Sequence, residues 1–426
     1  MQTNKNKKII KNSITTGKMH ELKEEKLTNF DEIVNRWNTN AMNTDGFRGY
    51  IFNADKDAKF AFADEEFIRM WVADMEFAVA PGIRAAIQER LDRKILGYTA
   101  VTNDEYYKVF SKWCQEKYGL SFPEEQLAFS PGVVPAVIQL VELLVGKGEK
   151  ALTQTPGYNQ FKKATDYNGV ELVVNPLKYV NGKFEMDFED FEKKAEDKAV
   201  KLVILCNPQN PTGKIWTVEE LKKIAAIVEK NDLWIISDEI HCDLTRTGLK
   251  HTSMGLIMPD YRKLITCFSA SKSFNIAGLM MSNIIIRDAE LKKKFVERDK
   301  LGGCMNPLSI AAQKAAYEKG AEWLNELRVY LDGNFKLVKE ILDKELPKTN
   351  FTIPDATYLA WVNFEEYLAD EDNLPLFFAN KAGVLLEGGD RLFIGNASKW
   401  VRLNLAMPRA ILEEGMNRIV KAIKAR

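Results

Sequence analysis

The sequence predicts an α/β protein in which a mostly parallel seven-stranded sheet lies between layers of helices and is followed by a smaller α+β unit. Between Leu127 and Ile286, short runs rich in β-branched and aromatic residues alternate with stretches of helical periodicity. These runs are apolar at successive positions, which is typical of strands buried on both faces. Past Pro307 the alternation stops and a long helical pattern begins. Together the three observations favour a covered parallel sheet with a separate, smaller unit after it.

The elements follow in order along the chain. The predicted strands of the sheet are residues 127–129, 151–154, 170–174, 202–205, 233–236, 264–268 and 283–286. Helices predicted between them include residues 134–144, 218–228 and 291–298. The smaller unit is predicted to contain a helical region from 307 to about 346, strands at 358–362 and 401–405, and a final helix from 411.

The start of the chain differs in composition from the rest. Residues 1–28 are rich in lysine and asparagine and show no apolar periodicity, which predicts a disordered basic tail. Residues 29–34 predict a short capped helix, and the polar run to Lys59 predicts irregular structure. The expected organisation is a tail (1–28), a segment that joins the small domain (29–80), a large domain (81–310) and a small C-terminal domain (311–426).

Charge and cysteine usage narrow the class of protein. The 60 basic and 60 acidic residues cancel, so the chain as a whole is not steered toward nucleic acid or an anionic membrane. The five cysteines are odd in number and never spaced C-x-x-C, which favours reduced thiols in a cytoplasmic protein and no metal finger. No apolar run is long enough to predict a signal peptide or a membrane span. We therefore expect a cytoplasmic protein that binds neither nucleic acid nor membrane.

Lys272 is the first candidate catalytic residue. It follows the apolar run 264–268 and is surrounded by small hydroxylated residues, Ser269, Ser271 and Ser273. Packing against small residues at a strand end would remove water from the ammonium group and lower its pKa, as an amine needs in order to attack a carbonyl at neutral pH. Lys272 is therefore the candidate Schiff-base lysine. A surface lysine just past a strand is the alternative, which the local motif alone does not exclude.

Ligands of parallel sheets gather at the carboxyl ends of the strands. Asp238 lies at the end of the apolar run 233–236, after Ser237, where a buried charge is costly unless a cation meets it. A protonated pyridine nitrogen would be such a cation, whereas the alternative role is a helix N-cap. His241 lies about one helical turn further on and could reach the same ligand, although a structural histidine is the alternative.

Three other strand ends carry candidate binding residues. Gly132 opens a helix whose free N–H groups suit a phosphate, unless the segment is an ordinary strand-to-helix turn. Tyr158 could cover a flat heterocycle, with core packing as the alternative. Asn210 lies in a loop with two Asn-Pro steps, which restrict the backbone and aim its amide at a fixed point.

Arg402 lies inside an otherwise apolar strand near the end of the sequence. Guanidinium groups are rarely buried without a partner, and their fork suits a carboxylate. Arg402 is therefore the candidate for the substrate carboxylate, and an internal salt bridge is the alternative. Arg409, about one turn into the next element, is the more plausible structural arginine.

Taken together, these residues match pyridoxal-phosphate chemistry, in which a pyridinium held by a carboxylate withdraws electrons from the substrate Cα. From residue 29 onward the sequence resembles the fold-type I superfamily of PLP-dependent aminotransferases, and more closely its MalY/PatB-type cystathionine β-lyase branch. The motifs that carry the resemblance are residues 71–75, 97–99, 131–135, 206–211, 237–241, 272–279 and 402–406.

The resemblance implies the PLP-dependent transferase fold type I and pyridoxal 5'-phosphate as cofactor. It implies that Lys272 forms the Schiff base and moves the Cα proton, that Asp238 pairs with the ring nitrogen, and that Tyr158 covers the ring. Asn210 and His241 are implied at the ring 3-oxygen. The residues implied at the phosphate are Gly132, Val133, Val134, Ser269, Ser271 and, from the neighbouring subunit of an obligate homodimer, Tyr98.

The resemblance also implies a substrate site formed by Arg402, Tyr98 and Asn210. The wider aminotransferase pattern has an arginine eight residues after the lysine, where this chain has Met280, as the lyase branch also lacks it. Residues 38–65 form a longer segment than in typical members, and Ala356 replaces a usual glycine. Both differences lie near the expected substrate entrance, so they bear on specificity.

The implied reaction is β-elimination of a thiol from L-cystathionine, L-cysteine or a related S-conjugate, with pyruvate and ammonia as the other products. A PLP-dependent aminotransferase of L-amino acids is the first alternative, because only the fate of the carbanion differs. A regulatory protein that binds a partner is an alternative from another class. The sequence shows no separable helix-turn-helix and no basic face, which argues against direct DNA binding.

Overall fold

A computed structural model of the chain describes residues 28–298, 303–395 and 397–426. The helices are α1 (Met42–Asp45), α2 (Phe47–Phe52), α3 (Pro81–Asp92), α4 (Glu105–Tyr118), α5 (Val133–Leu144), α6 (Asn159–Tyr167), α7 (Phe188–Ala195), α8 (Val218–Lys230), α9 (Met254–Ile257), α10 (Ala270–Ser273), α11 (Ala289–Arg298), α12 (Pro307–Lys319), α13 (Ala321–Glu345), α14 (Glu365–Leu368), α15 (Leu374–Ala382) and α16 (Arg409–Lys424). The strands are β1 (Ile68–Met70), β2 (Leu127–Ser130), β3 (Lys150–Thr155), β4 (Gly157–Tyr158), β5 (Glu171–Pro176), β6 (Lys178–Val180), β7 (Lys183–Glu185), β8 (Val200–Cys206), β9 (Trp234–Asp238), β10 (Leu264–Phe268), β11 (Ser282–Ile286), β12 (Leu359–Asn363), β13 (Val384–Gly388), β14 (Phe393–Ile394) and β15 (Trp400–Asn404). Apart from its last residue, the predicted tail lies outside the described residues.

The main sheet has seven strands in the order β2-β11-β10-β9-β8-β3-β5. β11 is antiparallel to both of its neighbours, and the pairs along the rest of the sheet are parallel. Each of the seven predicted strands coincides with one of these strands, give or take two residues. The predicted α/β class with a mostly parallel seven-stranded sheet is confirmed.

Helices cover both faces of this sheet, because its strands carry apolar side chains on each face. In β8, Leu202 and Ile204 join one core with residues of α5, whereas Val203 and Leu205 join another core with residues of α8. Successive side chains of a strand point to opposite faces, so a continuous apolar run requires two cores.

A second sheet has four strands in the order β1-β13-β15-β12. β1 pairs with β13 in parallel, although more than three hundred residues separate them, with Ile68 opposite Val384. One face of this sheet packs in a core with α13, α15 and α16, which includes Phe335, Phe378 and Met416. An early segment of the chain is thereby tied to the unit formed by its last third.

The predicted helix at residues 29–34 is wrong. The structure has a turn there, in which the Asn29 carbonyl accepts the Glu32 N–H at 3.2 Å. Phe30 is buried against Trp323, with ring centroids 5.6 Å apart. The tertiary contact of this one ring, rather than helix propensity, decides the local conformation.

The prediction of irregular structure up to Lys59 is also wrong in part, because α1 and α2 lie in that run. Phe47 and Ile51, four residues apart on α2, are both buried. The predicted C-terminal helical region is divided into α12 and α13 at Gly320. A Cβ atom at Gly320 would collide with the ring of Phe274.

None of the helices within the described ranges combines the length and the apolar character needed to cross a bilayer.

Candidate active site

The carboxyl ends of the main-sheet strands border a cavity of about 810 Å³. The second sheet and the segment after β1 form its other walls. The sequence-predicted residues that line it are Gly132, Val133, Val134, Tyr158, Asn210, Asp238, His241, Ser271, Lys272 and Arg402. Ser269 and Tyr98 are not among its lining residues. The structure therefore brings most of the predicted site residues to one place.

Lys272 lies on the short helix α10, directly after β10. Its Nζ atom donates a hydrogen bond to the Ala73 carbonyl at 2.7 Å. Burial, with a smaller effect of the Arg402 charge, lowers the pKa of Lys272 to about 8, although Asp74 and Asp238 act in the opposite direction. The amine is thus much closer to its nucleophilic, neutral form than an exposed lysine.

Asp238 ends β9, with Cys206 of β8 and Cys267 of β10 at the paired positions. It is buried, and its carboxylate accepts the Ile240 N–H at 3.1 Å. Burial raises the pKa of Asp238 to about 7. In the part of the chain that the structure describes, no arginine, lysine or histidine forms an ion pair with it. A buried carboxylate that lines a cavity without a cationic partner suits a cationic ligand.

Glu239 was not singled out from the sequence, although it adjoins Asp238. It points away from the cavity, because consecutive side chains at a strand end face opposite ways. Its carboxylate accepts hydrogen bonds from the Ser237 hydroxyl at 2.9 Å and the Met254 N–H at 2.9 Å, and lies 2.7 Å from His251 Nε2. This network holds the loop after β9 and therefore the backbone of Asp238.

His241 is buried, and its Nδ1 atom has no hydrogen-bond partner in the described residues. Burial lowers the pKa of His241 to about 3, with further contributions from the charges of Lys272 and Arg402. The ring is therefore neutral near pH 7. An unpartnered buried nitrogen is costly, and a polar ligand atom in the cavity would satisfy it.

Arg402 and Asn210 are directly connected. Arg402 Nη1 donates to Asn210 Oδ1 at 3.2 Å, and Nη2 donates to the Trp71 carbonyl at 3.2 Å. Nη2 also lies 2.5 Å from Glu387 Oε2, and both side chains are almost completely buried. The salt bridge that was the alternative interpretation of Arg402 thus exists. It does not occupy the whole guanidinium, because Nε has no partner in the described residues.

The start of α5 forms another part of the cavity wall. Gly132 precedes this helix, and a Cβ atom there would lie 3.1 Å from Pro135 Cδ. Ser271 lines the cavity, whereas the Ser269 hydroxyl donates to the Met281 carbonyl at 2.9 Å and accepts the Ser271 N–H at 3.2 Å. The free N–H groups of a helix start and a nearby hydroxyl suit a phosphate group.

The two tyrosines differ in their surroundings. Tyr158 lines the cavity from β4, and pairs with Phe393 of β14 across a two-stranded ribbon. Its ring meets Phe161 edge-on at 6.1 Å between centroids. Tyr98 is fully exposed, at 101%. Within one chain it reaches no part of the cavity wall.

Residues 72–76 form part of the cavity wall, although the sequence identified this run only as part of a family motif. The Ala73 carbonyl accepts hydrogen bonds from Lys272 and from the Tyr358 hydroxyl, the latter at 2.8 Å. The Asn404 amide donates to the Val72 carbonyl at 2.6 Å. The apolar and acidic side chains of this run indicated a family motif but not its place in the site. The groups that act in the site are backbone carbonyls, which every residue has and which no sequence pattern reveals.

The residues fit pyridoxal 5'-phosphate, as the resemblance implies. The cavity offers a lysine of lowered pKa, a buried carboxylate without a cation, and a histidine nitrogen without a partner. The start of α5 and Ser271 also line it. These features correspond to the aldehyde, the ring nitrogen, the ring oxygen and the phosphate of that cofactor.

Known proteins match the chain over most of its length. Residues 66–419 match the family model for aminotransferase class I and II. Cystathionine beta-lyase PatB of Bacillus subtilis is 38% identical over 367 residues, which cover 85% of this chain and 94% of the relative. Protein MalY of Escherichia coli is 31% identical over 370 residues, which cover 85% of this chain and 93% of the relative. The crystal structure of the PLP-bound C-S lyase from Staphylococcus hominis has 46% sequence identity and a TM-score of 0.87, with 93% of this chain and 98% of that chain covered. Because the family model spans far more than half of the sequence, the chain belongs to the class I and II aminotransferase family.

Proposed function

We propose that the chain is a PLP-dependent carbon–sulfur β-lyase. It cleaves the Cβ–S bond of L-cystathionine, L-cysteine or a related S-conjugate, and water completes the conversion to a thiol, pyruvate and ammonia. The observation that carries the proposal is that Lys272, Asp238 and Arg402 line one cavity. The names of the relatives, a cystathionine beta-lyase at 38% identity and a C-S lyase at 46%, support the lyase over an aminotransferase.

Five residues would hold the cofactor. Lys272 would bind it covalently through Nζ, and Asp238 would pair with its ring nitrogen. Tyr158 would cover the ring, while His241 and Asn210 would contact its 3-oxygen. Bound there, pyridoxal 5'-phosphate supplies an electron-withdrawing ring that stabilises negative charge at the substrate Cα.

The chain's own residues bind and orient the substrate. Arg402 donates hydrogen bonds to the substrate carboxylate, and Asn210 holds the guanidinium from the other side. Once the substrate amine has taken its place, Lys272 Nζ would be a free amine that can take the proton from Cα, and its lowered pKa suits it to moving a proton near neutral pH. The thiolate then leaves from Cβ, where the 810 Å³ cavity has room for it.

An assay of product formation tests this function. Purified protein is incubated with L-cystathionine or L-cysteine, and pyruvate is measured. We expect pyruvate from the wild type, a visible absorbance band from the lysine-bound cofactor, and the loss of both in Lys272→Ala, with activity reduced roughly a thousandfold or more. Lys263→Ala is the matched control, because Lys263 pairs with Asp232 at the surface end of β10 and should leave both signals unchanged.

The result that would overturn the lyase assignment is equally specific. No pyruvate above background, together with amino transfer to an added 2-oxo acid, would make the chain an aminotransferase. Retention of the absorbance band in Lys272→Ala would instead remove this lysine from the cofactor site.

We also propose that two chains form a homodimer in which Tyr98 reaches the phosphate in the partner subunit. Tyr98 is fully exposed, and Ile95 and Leu96 beside it are 73% and 54% exposed. A cluster of exposed apolar side chains on one loop supports an interface. The interface would bring Tyr98 to a cavity that it does not reach within its own chain.

The division into a segment at 29–80, a large domain at 81–310 and a small domain at 311–426 is likewise a proposal. The two sheets support it. All seven strands of the main sheet come from residues 127–286, whereas the four-stranded sheet combines β1 with β12, β13 and β15. A cytoplasmic location is proposed from the cysteines, all five of which are free thiols.

A further inference from the structure

The wall of the cavity contains a buried carboxylate to which the proposed reaction assigns no task. Glu387 lies on β13 directly opposite Arg402 of β15 in an antiparallel register. Glu387 Oε2 is 2.5 Å from Arg402 Nη2, and the two side chains are 4% and 2% exposed. Both line the cavity. The arginine proposed to bind the substrate carboxylate is therefore already paired with a carboxylate of the protein.

This pairing creates a charge conflict in the proposed substrate complex. Arg402 carries one positive charge, and a bound substrate would place a second carboxylate beside it. Two carboxylates on one buried guanidinium cannot both remain ionised without a large cost, because one of the negative charges is uncompensated.

The other groups around Glu387 do not relieve that conflict. Lys272 is the remaining cation that acts on Glu387, but its Nζ atom donates to the Ala73 carbonyl and is the atom proposed to bind the cofactor, so it is not a dedicated counter-ion of Glu387. The hydroxyls of Tyr50 and Tyr158 also interact with the Glu387 charge. Burial raises the pKa of both, so they stay neutral and do not change the charge balance. The Trp71 carbonyl and the Asn210 amide oxygen around Arg402 are acceptors.

We propose that Glu387 is a proton-linked counter-ion of Arg402. It balances the guanidinium while the substrate is absent. When a substrate carboxylate binds to Arg402, Glu387 takes up one proton from water and stays in place as a neutral hydrogen-bond partner. Glu387 thus acts through Arg402, as a positioning residue, and this inference rests on the proposed role of Arg402 in substrate binding.

Two features of the site support this role. Burial already raises the pKa of Glu387, although Arg402 and Lys272 act in the opposite direction. A protonated carboxyl group keeps one oxygen to accept from Arg402 and gains a hydroxyl that can donate to the substrate carboxylate. The same side chain therefore serves both states of the site without moving.

Proton uptake by Glu387 sets the sign of the pH dependence of substrate affinity. Substrate binding raises the pKa of Glu387, so binding is coupled to proton uptake between its pKa in the free enzyme and its higher pKa in the complex. Within that window the affinity for the carboxylate falls as the pH rises, by up to about tenfold per pH unit. Below the window Glu387 is already protonated, and the affinity is constant.

Titration of the holoenzyme with 3-(methylthio)propionate tests the inference. This thioether has the carboxylate but no amino group, so it cannot displace Lys272 from the cofactor. Calorimetry in two buffers of different ionisation enthalpy gives the number of protons taken up. We expect close to one proton per site in the wild type and none in Glu387→Gln, whose binding is independent of pH and at least about tenfold tighter one unit above the wild-type midpoint.

Asp332→Asn is the matched control. Asp332 pairs with the buried Arg246 at 3.0 Å, and neither residue lines the cavity, so proton uptake should remain as in the wild type. Infrared difference spectra of the wild type provide a second measurement that needs no variant, since binding should produce the band of a protonated carboxyl group.

The remaining outcomes overturn the inference in distinguishable ways. Proton uptake that persists in Glu387→Gln would assign the proton to another group. Absence of both uptake and the infrared band in the wild type across the pH range would show that binding does not change the protonation of Glu387, which overturns the inference. If the probe does not bind, or binds equally well to Arg402→Met, the carboxylate site itself is wrong. The pyruvate assay decides separately whether the chain is a lyase.

Discussion

Adjacent residues at the end of β9 carry carboxylates with opposite tasks. Asp238 faces the cavity and has no cationic partner in the described residues, whereas Glu239 is enclosed by hydrogen-bond donors on the far side. Glu239 thus has its hydrogen-bond partners within the protein, whereas Asp238 is placed to pair with the ring nitrogen of the proposed cofactor. The cost of burying the Asp238 charge would then be offset when pyridoxal 5'-phosphate is bound.

Asp238→Asn should therefore stabilise the protein freed of cofactor. Burial raises the pKa of Asp238 to about 7, above its value of ~4 in an unfolded chain. The folded state then binds a proton that the unfolded state has released, so this residue's contribution to stability falls as the pH rises through that window and stays unfavourable above it. We expect the variant to melt roughly 2–6 °C higher than the wild type at about pH 8, and at the same temperature near pH 4.

Differential scanning of both apoproteins across this pH range measures the effect. Asp232→Asn, at an 80% exposed side chain, should show no such pH dependence. A wild-type apoprotein that is as stable as Asp238→Asn at the alkaline end would contradict the prediction. With cofactor added, the order should reverse, because only the wild type retains the counter-ion of the ring.

Sequence patterns identified the residues whose polar side chains interrupt apolar runs. Lys272, Asp238 and Arg402 were found in this way, and all three line the cavity. Glu387 was missed because its strand, β13, was not predicted, so no apolar run drew attention to it. The Ala73 carbonyl could not be found at all, since every residue has one.

At the scale of elements, β15 holds the site together from the side of the second sheet. Arg402 and Asn404, two residues apart on one face, both donate to carbonyls of the segment 71–76. From the other side Asn275 accepts the Met75 N–H at 2.9 Å. The segment that supports Lys272 is therefore fixed between the two sheets by side-chain amides and a guanidinium.

Asn404→Ala should loosen this wall. The substitution removes hydrogen bonds to the Val72 and Asp74 carbonyls and to the Ala406 N–H, which would lower the free energy of unfolding by about 2–4 kcal/mol. Because the Ala73 carbonyl then no longer holds Lys272 firmly, we expect kcat to fall as well. Denaturant unfolding and steady-state kinetics measure the two effects.

Asn363→Ala serves as the comparison for that variant. Asn363 ends β12 and accepts the Glu365 N–H at 2.8 Å, away from the cavity. It should lose stability while kcat stays near that of the wild type. Equal losses of kcat in the two variants would mean that Asn404 acts only through global stability.

The predictability of an element depended on how it is buried. The strands of the main sheet are enclosed on both faces and were read directly from apolar runs. The sequence of segment 29–34 is typical of a capped helix, but Phe30 packs in an aromatic cluster that includes Phe77. Where one long-range contact decides the conformation, a local pattern predicts the wrong element.

At the scale of the whole molecule, the cavity is built from distant parts of the chain but is incomplete in one respect. No arginine or lysine other than Arg36, Lys272 and Arg402 is among its lining residues. Met280, at the position where the wider pattern has an arginine, is 60% exposed. In the proposed site, phosphate binding would therefore rely mainly on neutral donors, and Tyr98 of a second subunit is proposed as one of them.

Subunit mixing tests that contribution. Lys272→Ala and Tyr98→Phe subunits are each impaired, but a mixed dimer would contain one site with both native residues if Tyr98 acts across the interface. After equal amounts are denatured and refolded together, we expect about a quarter of wild-type activity. Activity no higher than the average of the two separate variants would show that Tyr98 serves its own chain or neither.

The pairing of β1 with β13 has a consequence for biosynthesis. A ribosome releases the segment 71–76 early, yet the strands β13 and β15 that hold it are made more than three hundred residues later. During translation, all strands of the seven-stranded sheet are therefore synthesised before the strands that bind this segment. If Lys272 binds the cofactor as proposed, we expect cofactor binding to follow synthesis of β15 rather than synthesis of Lys272 itself.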